Sequence, residues 1–103
     1  MSGFVLHPDA ILDLDEIWEF IAAENLDAAD HVLQEIYDAI RALVPFPQQG
    51  HPRPDLSSHP LRFHLVRDFL IAYAPDEKPL LVVAVLHGRR NPRVLAALLR
   101  ERK

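Results

Sequence analysis

The side chains best suited to chemistry stand on or just beyond three strand-like segments in the second half of the chain. Arg62 opens the first of these segments, and His87, Arg89 and Arg90 end the last one. An arginine can hold a phosphate through two parallel hydrogen bonds, and a histidine changes its charge near neutral pH. These four residues are therefore the candidate catalytic or anion-binding groups, and an acidic partner chain is the alternative ligand.

Each candidate also has a purely structural interpretation. Arg62 could pair with an acidic residue of a helix or of a partner, and His87 could cap a backbone carbonyl at a strand end. Arg89 and Arg90 could form a solvated basic tip beyond Gly88. The sequence leaves these alternatives open. It favours His87 with the two arginines after it as the strongest cluster of groups for binding an anion.

No metal or cofactor is expected. The chain has no cysteine, and His51 and His59 lack metal-ligand spacing to any carboxylate. The absence of cysteine also fits a reducing compartment, so we expect a cytoplasmic protein.

Length and charge narrow the class of protein. The 103 residues fit one domain, residues 1–103, and the longest apolar run, Leu80 to Leu86, is far too short for a membrane helix. Residues 1–50 hold ten acidic side chains and one basic one, whereas residues 51–103 hold ten basic and five acidic ones. This asymmetry predicts a basic surface with a partner of its own.

Hydrophobic spacing predicts the elements that position the candidate residues. Phe4 to Leu6 reads as an edge strand. Apolar residues then recur at intervals of three and four in two helices, one opened by Pro8 and one that Asp27 could cap. The first helix has the apolar positions Ala10, Ile11, Leu14, Ile17, Trp18, Ile21 and Ala22, with Asp13, Asp15, Glu16 and Glu19 on its other face. The second has Ala29, Val32, Leu33, Ile36, Ile40, Leu43 and Val44.

After a proline-rich loop, Pro45 to Pro60, alternation predicts strands at residues 61–66, 69–74 and 80–87, and Asn91-Pro92 starts a short helix. The predicted fold is α+β: an N-terminal strand and an α-helical hairpin packed on a small antiparallel β-sheet, with a short C-terminal helix. The last strand is apolar at both parities. Because one short helix remains to cover the second sheet face, we expect an exposed apolar face and a partner that covers it.

This order of elements resembles the ParE/RelE superfamily of type II toxin–antitoxin toxins over nearly the whole chain. The matching pieces are the two helices, A-I-L-D-L-D-E-I-W-E-F-I-A and A-A-D-H-V-L-Q-E-I-Y-D-A-I-R-A-L, the proline-rich loop, Leu61-Arg62, F-L-I-A-Y and V-L-H-G-R-R. The helix-rich N-terminal half and the V-L-H-G-R-R ending are more similar to the ParE branch.

The resemblance implies a toxin that is neutralised by a cognate, ParD-like antitoxin, in a complex that could be a higher-order hetero-oligomer. A ParE-like member inhibits DNA gyrase by binding and is no established nuclease. A RelE-like member cleaves mRNA on the ribosome without a metal, and here Arg62, His87 and Arg89 or Arg90 would carry that reaction. The third alternative is an inactive antitoxin-binding module. The acidic net charge and the presence of only two lysines, Lys78 and Lys103, favour the ParE-like binder over an RNase.

Overall fold

Five strands and three helices make up the computed structural model, which describes residues 3–102. Their bounds are β1 Phe4–Leu6, α1 Pro8–Ala22, α2 Leu26–Leu43, β2 His51–Pro52, β3 Arg62–Val66, β4 Phe69–Ala74, β5 Leu80–His87 and α3 Pro92–Arg100. The strands form one sheet in the order β1-β5-β4-β3-β2. The predicted α+β fold is confirmed, with one refinement: β1 runs parallel to β5, so the sheet is mixed rather than wholly antiparallel.

The helical hairpin covers one face of the sheet. Leu14 and Ile17 of α1 and Ile36 and Ile40 of α2 are buried there against Ile71 and Val82, among other sheet residues. Each helix starts where a side chain accepts a backbone hydrogen bond. His7 Nδ1 accepts from the N–H of Asp9, and Asn25 Oδ1 accepts from the N–H of Ala28. Asn25, rather than the expected Asp27, is therefore the cap of α2.

Three residues of α1 differ from expectation. Ile11 was assigned to the apolar stripe but is 47 % exposed. Asp13 was assigned to the solvent face but is 7 % exposed, because it lies against the edge of β5. Trp18 was assigned to the core but is half-buried, and its indole N–H donates to Asp30 at 2.9 Å on the surface between the helices. The helical period correctly located the main positions of the apolar stripe but misplaced these three residues at its margins.

The second sheet face is covered more fully than the sequence indicated. Leu95 and Leu99 of α3 and Leu56 of the proline-rich loop pack on Phe63, Ala72, Ala84 and Leu86. The expectation that one short helix would leave an apolar face exposed therefore underestimated the cover of this face. The sequence reading missed that the loop supplies its own buried side chain. What stays half-buried on this face includes Leu81 and Val83, beside a cleft of about 240 Å³.

A β-bulge divides β5 into two parts. Ala72 pairs with Ala84 but Tyr73 pairs with Val82, so Val83 is an extra residue on β5. Before the bulge, β5 is bonded to β1 from Leu80 to Val82, and the N–H of His7 donates to the carbonyl of Val82. The bulge shifts by one residue the set of backbone groups that face away from β4. The polar groups of Val83 and Val85 therefore point to the outer edge of β5.

None of the helices within residues 3–102 is long and apolar enough to span a membrane.

The two isoleucines Ile36 and Ile11 test the orientation of the hairpin. Ile36 is 0 % exposed in the core, whereas Ile11 is 47 % exposed on α1. We predict that Ile36→Ala lowers the free energy of unfolding by about 2–5 kcal/mol, because it leaves a cavity that its neighbours cannot fill. The matched Ile11→Ala should cost much less in the same urea titration. Equal losses would contradict the observed orientation of the hairpin.

Candidate functional site

Arg62 holds the proline-rich loop. Its guanidinium donates to the carbonyl oxygen of Gly50 at 2.6 Å and to that of Gln48 at 3.3 Å. In β3 it lies opposite Tyr73, on the helix-facing side of the sheet. The cation predicted to bind a phosphate is therefore already bonded to two backbone carbonyls of its own chain.

Tyr73 anchors the same loop from β4. Its hydroxyl donates to the carbonyl of Pro47 at 2.6 Å and accepts from the N–H of Gly50 at 2.9 Å. The side chain is 0 % exposed, and burial raises the pKa of the Tyr73 hydroxyl above its ordinary value despite the opposing effects of the Gly50 N–H and the Arg62 charge. A Cβ at residue 50 would lie 2.6 Å from this hydroxyl, so only glycine fits.

His87 and Arg90 line one cleft between α1 and α3. The cleft has a volume of about 380 Å³ and β5 residues Val85 to His87 at its floor. Phe20 of α1, which is 73 % exposed, stands at its wall beside His87, with ring centroids 6.5 Å apart in an edge-on arrangement. The ring of Phe69 also lies near the imidazole, with ring centroids 4.9 Å apart. Glu16 lines the same cleft.

The other two arginines of the strand region pair with acidic residues. Arg89 donates to Asp68 at 3.1 Å, away from the cleft, although the side chain is 83 % exposed. Arg67 forms a bidentate pair with Glu35 at 2.7 and 2.6 Å, and its hydrogen bonds hold the pKa of the Glu35 carboxyl below its ordinary value. This pair ties the β3–β4 turn, where Arg67 has a left-handed φ of 53°, to α2.

The four candidate residues do not converge on one point. Arg62 of β3 lies opposite Tyr73 of β4, whereas His87 of β5 lies opposite Phe69, four residues away in β4. The two candidates are therefore on opposite edges of β4. At the usual rise per residue, Arg62 and His87 are about 13 Å apart along the strand direction alone. The structure thus brings His87 together with Arg90, turns Arg89 toward Asp68 and leaves Arg62 at the opposite end of the sheet.

An ion pair that the sequence did not indicate forms the base of the cleft. Arg102 donates from two nitrogens to the carboxylate of Asp13, at 2.5 and 2.8 Å, and Asp13 also accepts from the N–H of Val85 at 3.0 Å. Arg102 reaches the carbonyl of Val83 at 3.3 Å. Both side chains are about nine-tenths buried, and the bonds to Asp13 raise the pKa of Arg102.

The sequence reading therefore missed Asp13, Glu16, Phe20 and Arg102 as members of this region. A weak signal existed for two of them: Asp13 directly precedes Leu14 of the apolar stripe, and Phe20 is an aromatic residue outside it. Nothing in the local pattern links Arg102 to Asp13, because they are 89 positions apart.

Metal binding has no support in this region. Within residues 3–102 there is no group of three or more histidine and carboxylate side chains placed to hold a metal ion. Among the described residues, the chemistry available at the cleft is that of a carboxylate, an imidazole and a guanidinium beside an exposed aromatic ring.

A family model matches most of the chain. The sequence model described as "ParE toxin of type II toxin-antitoxin system, parDE" covers residues 4–92, from β1 to the first residue of α3. No curated protein matches the sequence at a significant level. The matched region includes the hairpin, the proline-rich loop, and the candidates Arg62, His87, Arg89 and Arg90. It ends before Arg102.

The loop anchor gives a first prediction for this region. Tyr73→Phe should lower the free energy of unfolding at neutral pH by about 1–3 kcal/mol, because the carbonyl of Pro47 and the N–H of Gly50 lose their buried partner. Tyr37→Phe, which changes a half-buried tyrosine of α2, should have little effect in the same denaturation experiment.

The same variant changes the pH dependence. Because the folded-state pKa of Tyr73 is raised, the unfolded chain releases this proton first as pH rises. Stability from Tyr73 is complete below pH about 10 and is lost as pH climbs above that value. Tyr73→Phe should therefore flatten the alkaline fall in stability, whereas Tyr37→Phe should leave the Tyr73 contribution in place. An unchanged slope in Tyr73→Phe would contradict the assignment.

The buried ion pair gives a further prediction. Asp13→Asn keeps an acceptor for the N–H of Val85 but leaves the buried Arg102 with only the longer ion pair to the exposed Asp9, at 3.8 Å, so we expect a loss of about 3–5 kcal/mol in unfolding free energy. Asp15→Asn, an exposed substitution on the same helix, is the matched control. Chemical denaturation of both variants measures this difference. Equal unfolding free energies would show that the buried Arg102 does not need the charge of Asp13.

Proposed function

The chain belongs to the family of ParE toxins of type II toxin–antitoxin systems, and we propose that it inhibits DNA gyrase by binding it and is neutralised by a ParD-like antitoxin. The proposal places the complex with antitoxin, in a hetero-oligomer of more than one copy of each, as the inactive form of the toxin. Its setting would be the cytoplasm, where both partners and gyrase meet.

The separation of the candidate residues in the structure supports inhibition by binding rather than RNA cleavage. Metal-free RNA cleavage needs a base, an acid and a cation around one phosphate. Arg62 is bonded to the carbonyls of Gln48 and Gly50 and lies at the far end of the sheet from His87. Inhibition by binding has no such requirement, because it needs a contact surface and not three groups around one phosphate.

The exposed surface near the cleft supports the same proposal. Phe20 is 73 % exposed, and large exposed aromatic side chains next to a cation are typical of protein-binding sites. Arg90, which is exposed, lines the same cleft as Phe20. These groups would contact an acidic region of the target, and the exposed acidic residues of α1 and α2 would keep nucleic acid away from the other side.

One observation favours a second candidate, a metal-independent endoribonuclease. Glu16, His87 and Arg90 line the same cleft and are the residue types of a base, an acid and a cation. In that case Arg62 would have no catalytic part. An inactive antitoxin-binding module is the remaining alternative, and it predicts neither effect below.

Expression of single variants separates these candidates. For a gyrase inhibitor, His87→Ala should leave the inhibition of supercoiling largely intact. The pair Arg89→Ala and Arg90→Ala should weaken it, more at low salt than at high salt. The pair Arg93→Ala and Arg100→Ala is a charge-matched control that changes the outer face of α3. For a nuclease, His87→Ala should lower cleavage by about 10²–10⁴-fold.

The measurements are a purified-gyrase supercoiling assay and mapping of messenger 5′ ends in the same cells. Inhibited supercoiling with intact messenger is the expected result. Codon-phased cleavage that disappears with His87→Ala would overturn the gyrase proposal in favour of the nuclease.

A further inference from the structure

The edge of β5 is only partly occupied beyond β1. The strand β1 ends at Leu6, opposite Val82, and its chain then enters α1. Past that point, side chains replace the missing strand: Arg102 donates to the carbonyl of Val83, and Asp13 accepts from the N–H of Val85. These two contacts cover the edge up to the N–H of Val85 and no further.

Two backbone groups of β5 follow along the same edge. The carbonyl of Val85 points to the outer edge, like the N–H of the same residue. The N–H and carbonyl of His87 also point to the outer edge, because the direction repeats every two residues. The pairing supports this direction, because the N–H of Gly88 donates to Asp68 on the β4 side, so His87 faces away from β4. The carbonyl of His87 accepts from the N–H of Arg90. The Val85 carbonyl and the His87 N–H are left directed into the α1–α3 cleft.

This pattern favours one orientation for an added strand. In a parallel ladder, a single incoming residue opposite Leu86 donates its N–H to the carbonyl of Val85 and accepts from the N–H of His87. In an antiparallel ladder, two incoming residues would bond these same two groups. Their remaining carbonyl and N–H would then face the N–H of Val85 and the carbonyl of His87, which are already bonded to Asp13 and to Arg90. The parallel orientation is also that of β1 on the same edge.

We propose that an extended segment of the antitoxin binds in the α1–α3 cleft as a short strand parallel to β5, in line with β1. This inference rests on the proposed toxin–antitoxin function and adds the site, the orientation and the residue types of the segment. Addition of a strand to an open sheet edge is a recurring way in which proteins bind extended peptides.

The cleft walls specify the side chains of that segment. Phe20 and Ile17 lie on the α1 side and Leu98 on the α3 side, so residues that alternate along the segment each meet an apolar wall. Arg90 stands beyond His87, at the end where a parallel strand continues toward its C-terminus. The segment should therefore be apolar opposite Leu86 and carry an aspartate or glutamate one or two residues later, near Arg90.

The test uses the full-length toxin and the product of the gene beside it as the antitoxin probe. The amide of His87 should become protected from hydrogen exchange in the complex. The amide of Val85, which is bonded to Asp13 in the toxin alone, is an internal control that should already be protected. Phe20→Glu should weaken the complex by about 30-fold, as expected for a central apolar contact.

Matched controls separate the cleft from the general surface. Phe46→Glu changes an equally exposed phenylalanine outside the cleft and should leave the affinity nearly unchanged. Arg90→Glu should weaken binding more than Arg100→Glu, and the difference should shrink at high salt. Each variant is first compared with the parent protein by its melting temperature, so that a folding defect is not read as a binding defect.

Each other result overturns the proposal. A tight complex with an unprotected His87 amide, even one weakened by Phe20→Glu, would show a helix in the cleft or a segment bound elsewhere. Protection of His87 by self-association of the toxin alone would assign the edge to a second copy of this chain. Failure of the neighbouring gene product to bind would remove the proposed toxin–antitoxin function as well, whereas the first two results leave that function standing.

Discussion

The contact between Asp13, Arg102 and the outer edge of β5 is the interaction on which the arrangement of the site depends. It joins three parts of the chain that share no local sequence: the middle of α1, the second part of β5 and the end of the segment after α3. Such a buried pair is not a strong source of stability by itself, because removing two charges from water costs much of what their attraction returns. Its effect is positional. It ties the segment after α3 to α1 and to β5 beside the cleft.

The β-bulge at Val83 is what makes this contact available. If Val83 were paired regularly with β4 instead of bulging, β5 would direct Ala84 and Leu86, rather than Val85 and His87, to the outer edge. Asp13 would then lack the N–H of Val85 as a donor. The same bulge keeps Leu80 and Val82 bonded toward β1. One inserted residue therefore gives a strand whose first part is closed by β1 and whose second part is closed by side chains, with an open end at His87.

At the other end of the sheet, a cationic and a polar side chain hold the proline-rich loop in place. Arg62 and Tyr73 bond to backbone groups of Pro47, Gln48 and Gly50, so the proline-rich segment is held closely over the sheet and can bury Leu56 on its far side. An arginine with its guanidinium already bonded to two carbonyls is poorly placed to receive a phosphate. The two ends of the sheet therefore differ in what they bind. One end holds the loop, and the α1–α3 cleft at the other end contains the exposed aromatic ring and an exposed arginine.

The sequence by itself determined most of the elements, because hydrophobic period, proline positions and strand alternation are local properties. It missed the two-residue strand β2, which lies in the predicted loop. It placed β1, β4 and β5 at their observed bounds and found the apolar stripes of α1 and α2. Tertiary structure alone decided which charged residues act together. Asp13 meets Arg102 across 89 positions, Arg62 turns to the loop, and Arg89 and Arg90 diverge although they are adjacent. A charged side chain takes its role from the partner that folding brings within hydrogen-bonding distance, and neither residue type nor spacing encodes that partner when it lies on a distant element.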